Sequence, residues 1–200
     1  MTQYKVVELN CPGCNAPVAT DQKECIYCSS PVVITSFSSV YQMDRQMANK
    51  FSRSYKEALV ENPEQPELQN SIGMIYLKLK LYEQAQNSFE KAIEKDFDNS
   101  ETYFYKAISL LEGKKAFIVK KENVDKAINY TNTALQIEER GIYYYFLAYL
   151  KYDFYHRKFL KLSPNYIEEL EQAKNNHISE EDIRILFELL NVARPKELSI

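Results

Sequence analysis

Every cysteine in the chain lies between residues 11 and 28, arranged as Cys11-Pro-Gly-Cys14 and Cys25-Ile-Tyr-Cys28 with ten residues between the two pairs. Each C-x-x-C pair lets two thiolates converge on one ion from a tight turn, and two such turns supply the four sulfurs that tetrahedral Zn²⁺ accepts. The expected ligands are therefore Cys11, Cys14, Cys25 and Cys28, holding one structural zinc ion. Four thiolates close the coordination sphere, which leaves no position for a catalytic water. A rubredoxin-type iron and a pair of disulfides use the same residues and stay open at this stage. A thioredoxin-like redox pair lacks its βαβ setting.

Such turns need something to frame them. Tyr4–Leu9 before the first pair and Pro31–Thr35 after the second are β-prone, which predicts short strands on either side of the metal-holding loops. So small a module has almost no apolar core, and metal binding supplies its folding free energy instead, with apparent values of roughly 10 to 16 kcal/mol in zinc-finger peptides. With its four cysteines on the ligand positions of two knuckles, this segment resembles the zinc-ribbon family. That family commonly places Gly directly after each pair, where this chain has Asn15 and Ser29.

The remaining residues read as helix after helix, broken by Pro, Gly or Asn at Asn62-Pro63, Asp98-Asn99, Gly141, Ser163-Pro164 and Asn175-Asn176. Val40, Met43, Met47, Phe51, Tyr55, Ala58 and Leu59 follow helical spacing in one segment that begins near residue 39. Ser163 followed by Pro164 predicts an N-cap with Pro at the first helical position, and Ser179 with Asp182 predicts a capping box. The expected domains are a ribbon over 1–36, a helical domain over 37–192 and a short tail over 193–200.

Counted from Pro66, Ile72-Gly73, Tyr76, Ala85, Phe89 and Ala92 fall on the packing positions of a 34-residue unit, and in these residues the chain resembles the tetratricopeptide repeat (TPR) family. A looser copy starts at Ser100, with Tyr103, Ala107, Leu110, Ala127, Thr131 and Ala134, and carries eight extra residues around Lys114–Lys121. That insertion either lengthens both helices of the hairpin or makes a protruding loop. The fold class that follows is mainly α: a short β zinc ribbon, then a TPR-like solenoid closed by C-terminal capping helices. In this family the first helices of successive repeats line a groove that takes up a peptide or helix. The resemblance places Glu67, Asn70, Met74, Leu77, Lys78, Phe104, Ile108, Leu111, Tyr145, Tyr149 and Tyr152 along it as partner-binding residues.

Composition restricts the function classes. The formal net charge is −3, and a four-thiolate zinc site adds two further negative charges, so nucleic acid is disfavoured. Residues 1–36 hold only Lys5 and Lys23 as cations against Glu8, Asp21 and Glu24. The longest apolar run, Ile142–Leu150, is too short to span a bilayer, and the N-terminus has no signal-peptide core, so a cytoplasmic protein without a membrane partner is expected. The paired lysines at 114–115 and 120–121 suit an acidic partner or a membrane, or serve solubility alone. The two histidines, His156 and His177, sit in no catalytic motif, and no nucleotide or hydrolase signature occurs. The sequence therefore predicts no enzyme but a protein-binding adaptor or scaffold, with self-association of the ribbon left open. The alternative is a nucleic-acid-associated factor that uses the ribbon while the helices recruit other proteins.

Overall fold

A computed structural model describes residues 6–200, and the start of the expected strand at Tyr4 and the cation Lys5 lie outside them. The chain divides into two compact units, one ending at Phe97 and one covering Asp98–Ile200. The first unit contains the cysteine segment together with the helices that follow it.

In the first unit β1 (Glu8–Asn10) pairs antiparallel with β2 (Pro17–Ala19), Leu9 opposite Val18, so that these two apolar side chains share the buried face. The second expected strand, Pro31–Thr35, is absent; only an isolated bridge joins Glu24 to Pro31. Beyond the Val32 N–H, which donates to the Lys23 carbonyl at 3.1 Å, helix side chains satisfy its backbone groups. The Tyr55 hydroxyl donates to the Val32 carbonyl at 3.0 Å, and the Ile34 N–H donates to Ser71 Oγ at 3.0 Å. A buried backbone polar group needs some partner, and here two helices provide it in place of a neighbouring strand.

The first expected helix is two. α1 (Phe37–Tyr41) stops short, and α2 (Arg45–Glu61) starts afresh because the Asp44 carboxylate accepts the Met47 N–H at 2.7 Å as an N-cap. α3 (Pro66–Lys78) and α4 (Tyr82–Lys95) form the hairpin that carries the sharp repeat pattern, with Pro66 at the first helical position. α3 packs on α1, α2 and α4 and is buried along most of its length.

The second unit contains α5 (Ser100–Ser109), α6 (Lys121–Ile137), α7 (Gly141–Leu150), α8 (Tyr166–Asn175) and α9 (Glu180–Leu190). α7 runs on through a π-helical turn at Lys151–Tyr155 and ends in a 3₁₀ turn at His156–Lys158. Seven of the eight rings between Tyr143 and Tyr155 are buried; Tyr144 alone keeps part of its surface. The insertion neither lengthens its hairpin nor protrudes freely. It forms a 3₁₀ turn at Ala116–Ile118, tied down where the Ala116 N–H donates to the Tyr149 hydroxyl at 3.2 Å and the Phe117 N–H to Asp153 at 2.8 Å.

Two local expectations about helix ends come out differently from each other. α8 is capped by Asn165, whose side chain accepts from Ile167 and Glu168 while Glu168 reaches back to the Asn165 N–H, so Ser163 and Pro164 precede the cap. α9 has the expected capping box between Ser179 and Asp182. The C-terminal stretch is more than a tail: Leu198 is fully buried, its carbonyl accepts the Tyr145 hydroxyl at 2.7 Å, and Arg194 donates to the same carbonyl at 2.9 Å.

Candidate metal centre and helical repeat

The two cysteine turns are built alike. The Cys11 N–H donates to the Ala16 carbonyl at 2.7 Å and the Asn15 N–H to the Cys11 carbonyl at 2.8 Å. In the second turn the Cys25 N–H donates to Ser30 and the Ser29 N–H to Cys25, both at 2.9 Å. Asn15 and Ser29 both adopt left-handed backbone, φ 68° and 55°, at the two places where a glycine was expected. Asn tolerates that region and Ser less so, and both turns close all the same. Gly13 is required for a different reason. A Cβ there would lie 2.3 Å from Ser30 Oγ and 3.1 Å from Cys28 Sγ, so only glycine lets the two turns approach.

All four sulfurs lie within 4.8 Å of one another, with Cys11 and Cys28 at 3.5 Å and Cys14 and Cys25 at 3.7 Å. A tetrahedron of sulfurs about 2.3 Å from a zinc ion has edges of about 3.8 Å, so the spacing fits one four-coordinate ion. The four cysteines are free thiols, Cys11 and Cys25 buried and Cys14 and Cys28 exposed. Burial pushes the Cys11 thiol up to about 12, against the N–H groups of Cys14 and Gly13, which favour its thiolate. Beside Cys28, the Ser30 hydroxyl and N–H hold the thiol down at about 6. Donors aimed at the sulfurs are what a cluster of thiolates sharing one cation requires.

The centre is joined to its helices by side chains. Ser54 of α2 donates to the Asn10 carbonyl just before the first turn, and Ser71 of α3 holds both backbone groups of Ile34 after the second. A cleft of about 530 Å³ lies between the first turn and α2, lined by Cys11 to Asn15 with Lys50, Arg53, Ser54 and Glu57. On the second turn Ile26 and Tyr27 stand out, 78% and 69% exposed.

In the α3–α4 hairpin, Gly73 lies directly against the Phe89 ring, and Tyr76, Ala85, Phe89 and Ala92 are all buried. Close approach at a glycine with an aromatic ring filling the seam is how a helical hairpin of this kind is knitted. Residues 66–94 match the family model of the tetratricopeptide repeat. That stretch carries the pattern of a single tetratricopeptide repeat. The TPR-like helical fold extends further, since the chain matches the crystal structure of MamA with a TM-score of 0.54 at 19% identity, over 73% of this chain and 84% of that one. No curated protein matches the chain in sequence.

The TPR hairpin and the helices after it place the expected groove residues deeper than a binding surface needs. Asn70, Met74, Leu77, Phe104, Ile108, Leu111, Tyr145, Tyr149 and Tyr152 are buried, and only Glu67 and Lys78 keep part of their surface. Their apolar character, read from sequence as a ligand-facing stripe, is used by internal packing. Within the second unit, for example, Tyr149 and Tyr145 both meet Phe187 of α9 edge to face. Sequence reasoning missed the polar interior of that unit. Lys151 and Glu169 form a fully buried ion pair, Asp153 is buried beneath Arg157, and Glu101 pairs with Arg140 at 2.7 Å. The signal was present as charges in an otherwise aromatic run. Among the described residues no helix is long and apolar enough to cross a membrane.

Proposed function

We propose that this chain is a non-enzymatic adaptor or scaffold of the cytoplasm, built from a TPR-like helical stack that contacts partner proteins and a structural zinc centre that fixes its first helices. The observation that carries the reading is the TPR hairpin itself, tightly knit at Gly73 and Phe89, since folds of this type hold proteins rather than perform chemistry. Cys11, Cys14, Cys25 and Cys28 hold one zinc ion, which when bound supplies folding free energy to a segment with little apolar core of its own. The ion's closed thiolate sphere gives it a structural role.

Partner contact falls to what remains exposed. Glu67 and Lys78 mark the accessible part of the expected groove, and Ile26 with Tyr27 forms an apolar projection on the second cysteine turn that suits a protein contact. The buried members of the groove set support the shape of that surface from behind.

The test is a pull-down with the zinc-loaded full chain from its own cell lysate after nuclease treatment, with metal quantified on the same sample. A stoichiometric protein partner, retained by the wild type and lost on Tyr27→Ser or Lys78→Glu, supports the reading. Retention that requires intact nucleic acid overturns it in favour of a nucleic-acid factor, and turnover of a substrate by the purified chain overturns the non-enzymatic part.

A further inference from the structure

The insertion after α5 and the chain beyond the π-helical turn are the two most basic stretches of the second unit, and the fold brings them together. Residues 114–121 and 156–161 contain seven lysines and arginines and no carboxylate. Phe117 is the link. Its N–H is held by Asp153, and its ring lies 4.4 Å beneath the Arg157 guanidinium and 5.0 Å from the Lys158 ammonium. Three carboxylates answer the seven cations: Glu112 pairs with Lys114 at 2.7 Å, Asp125 with Lys121 at 2.6 Å, and Asp153 with Arg157. Glu122, beside Lys120, is engaged by Lys126 at 2.7 Å. Seven less three leaves four positive charges on these two stretches of a chain whose net charge is −3. Lys115, Lys120 and Lys161 make no ion pair among the described residues.

Two apolar side chains stand at the crest of this face. Phe159 is 96% exposed and Ile118 68% exposed, with Leu160 partly open beside them. The position of Phe159 breaks a local rule. The Phe159 N–H donates to the His156 carbonyl and the Leu160 N–H to the Tyr155 carbonyl, which closes the helix end with Phe159 in left-handed backbone at φ 57°. Helix ends of this form select glycine, because any Cβ is strained there. A bulky aromatic in a glycine position, with its ring in water and no internal contact to offset the strain, is the kind of conflict that marks a site selected for something outside the fold.

We infer that this face docks on the surface of an anionic lipid bilayer, with Phe159 and Ile118 entering the headgroup boundary and the surrounding lysines meeting the lipid headgroups. The argument for a bilayer is the combination of strongly exposed apolar side chains with unpaired lysines on flexible stems, which can reach headgroups while apolar tips are submerged. The local excess of positive charge supplies the attraction, at about fivefold in partition for each lysine near an anionic surface. The contact is peripheral and reversible. It departs from the expectation, read from the sequence, of a protein without a membrane partner, and it does not rest on the TPR stack holding a protein.

The experiment is co-sedimentation of the zinc-loaded full chain with vesicles of phosphatidylcholine, with and without phosphatidylserine. Binding is expected only to the anionic vesicles and is expected to fade as salt is raised. Lys120→Glu with Lys161→Glu lowers partition by on the order of twentyfold or more, and Phe159→Ser by about tenfold. Arg53→Glu, an exposed cation of the first unit, leaves partition unchanged. All these side chains face solvent, and circular dichroism melts matching the wild type establish that each variant is folded. Absence of binding to anionic vesicles, equal binding to neutral ones, or variants that bind as the wild type does would each overturn the inference. So would polyglutamate binding through Lys120, Lys161 and Phe159 where vesicles do not bind, which would make the face a site for an acidic protein.

Discussion

Replacing Gly73 with alanine sets two known effects of opposite sign against each other. Alanine in a helix interior is favoured over glycine by about 1 kcal/mol, so propensity alone predicts a more stable protein. The added Cβ would, however, lie 2.6, 2.8 and 3.0 Å from three atoms of the Phe89 ring. Phe89 is fully buried. Forcing a methyl group into a packed interior costs about 1–3 kcal/mol, and a clash this deep belongs at the upper end. The net expectation is a loss of about 2 kcal/mol, with the clash outweighing propensity. Because the two units can melt separately, hydrogen exchange of the α3 and α4 amides measured alongside urea unfolding reads the loss where it arises. The double variant Gly73→Ala with Phe89→Leu makes room for the methyl group, so the two changes couple favourably by about 2 kcal/mol. A stabilised Gly73→Ala, or a cycle with no coupling, would refute the claim that the hairpin depends on this contact.

Other perturbations follow from the same structure. Chelating the metal, or changing Cys25 to serine, should abolish the thiolate charge-transfer bands of a cobalt-substituted sample and raise amide exchange in α2 and α3 while that of the second unit stays put. Lys151→Met leaves Glu169 buried without its counter-ion and is expected to cost about 3–5 kcal/mol in thermal or urea unfolding, whereas Lys151→Met with Glu169→Leu recovers most of the loss. Burial raises the Glu101 carboxyl above its ordinary 4.5, even with Arg140 beside it. From 4.5 up to that raised value the folded chain holds a proton that the unfolded chain has lost. The contribution of Glu101 to stability therefore falls as pH rises through this window, and Glu101→Gln should flatten the pH profile of unfolding there.

The cysteine cluster was legible because its chemistry is local: residue type and spacing dictate four converging sulfurs whatever surrounds them, and the left-handed turns at Asn15 and Ser29 fell where the family pattern placed them. The TPR hairpin was legible for a similar reason, since small and large residues at fixed intervals describe one helix pressed on another. What local pattern does not carry is side-chain destination. Met74, Phe104 and Tyr145 lie on helix faces that suit a ligand or a core equally well, and only the neighbouring elements decide which. Leu198, after a proline and near the chain end, read as tail because nothing nearby shows that the Tyr145 hydroxyl needs its carbonyl. The expected strand at Pro31–Thr35 failed on the same ground, its partners being Tyr55 and Ser71 at distances in sequence that local pattern does not reach.

The bonds from Tyr55, Ser54 and Ser71 to the cysteine segment have one more consequence. A stacked-helix array has an adhesive first face, and natural arrays shield it with an atypical terminal element. Here α2 is that first helix, with Phe51 and Tyr55 wholly covered, and the segment against it has only a few buried apolar side chains, so an ion held by its four cysteines would add to what fixes its shape. With a metal held by the four cysteines, whether the end of the array is closed or sticky would be tied to the supply of that ion. A chain without it would present an open end through which copies would be expected to associate.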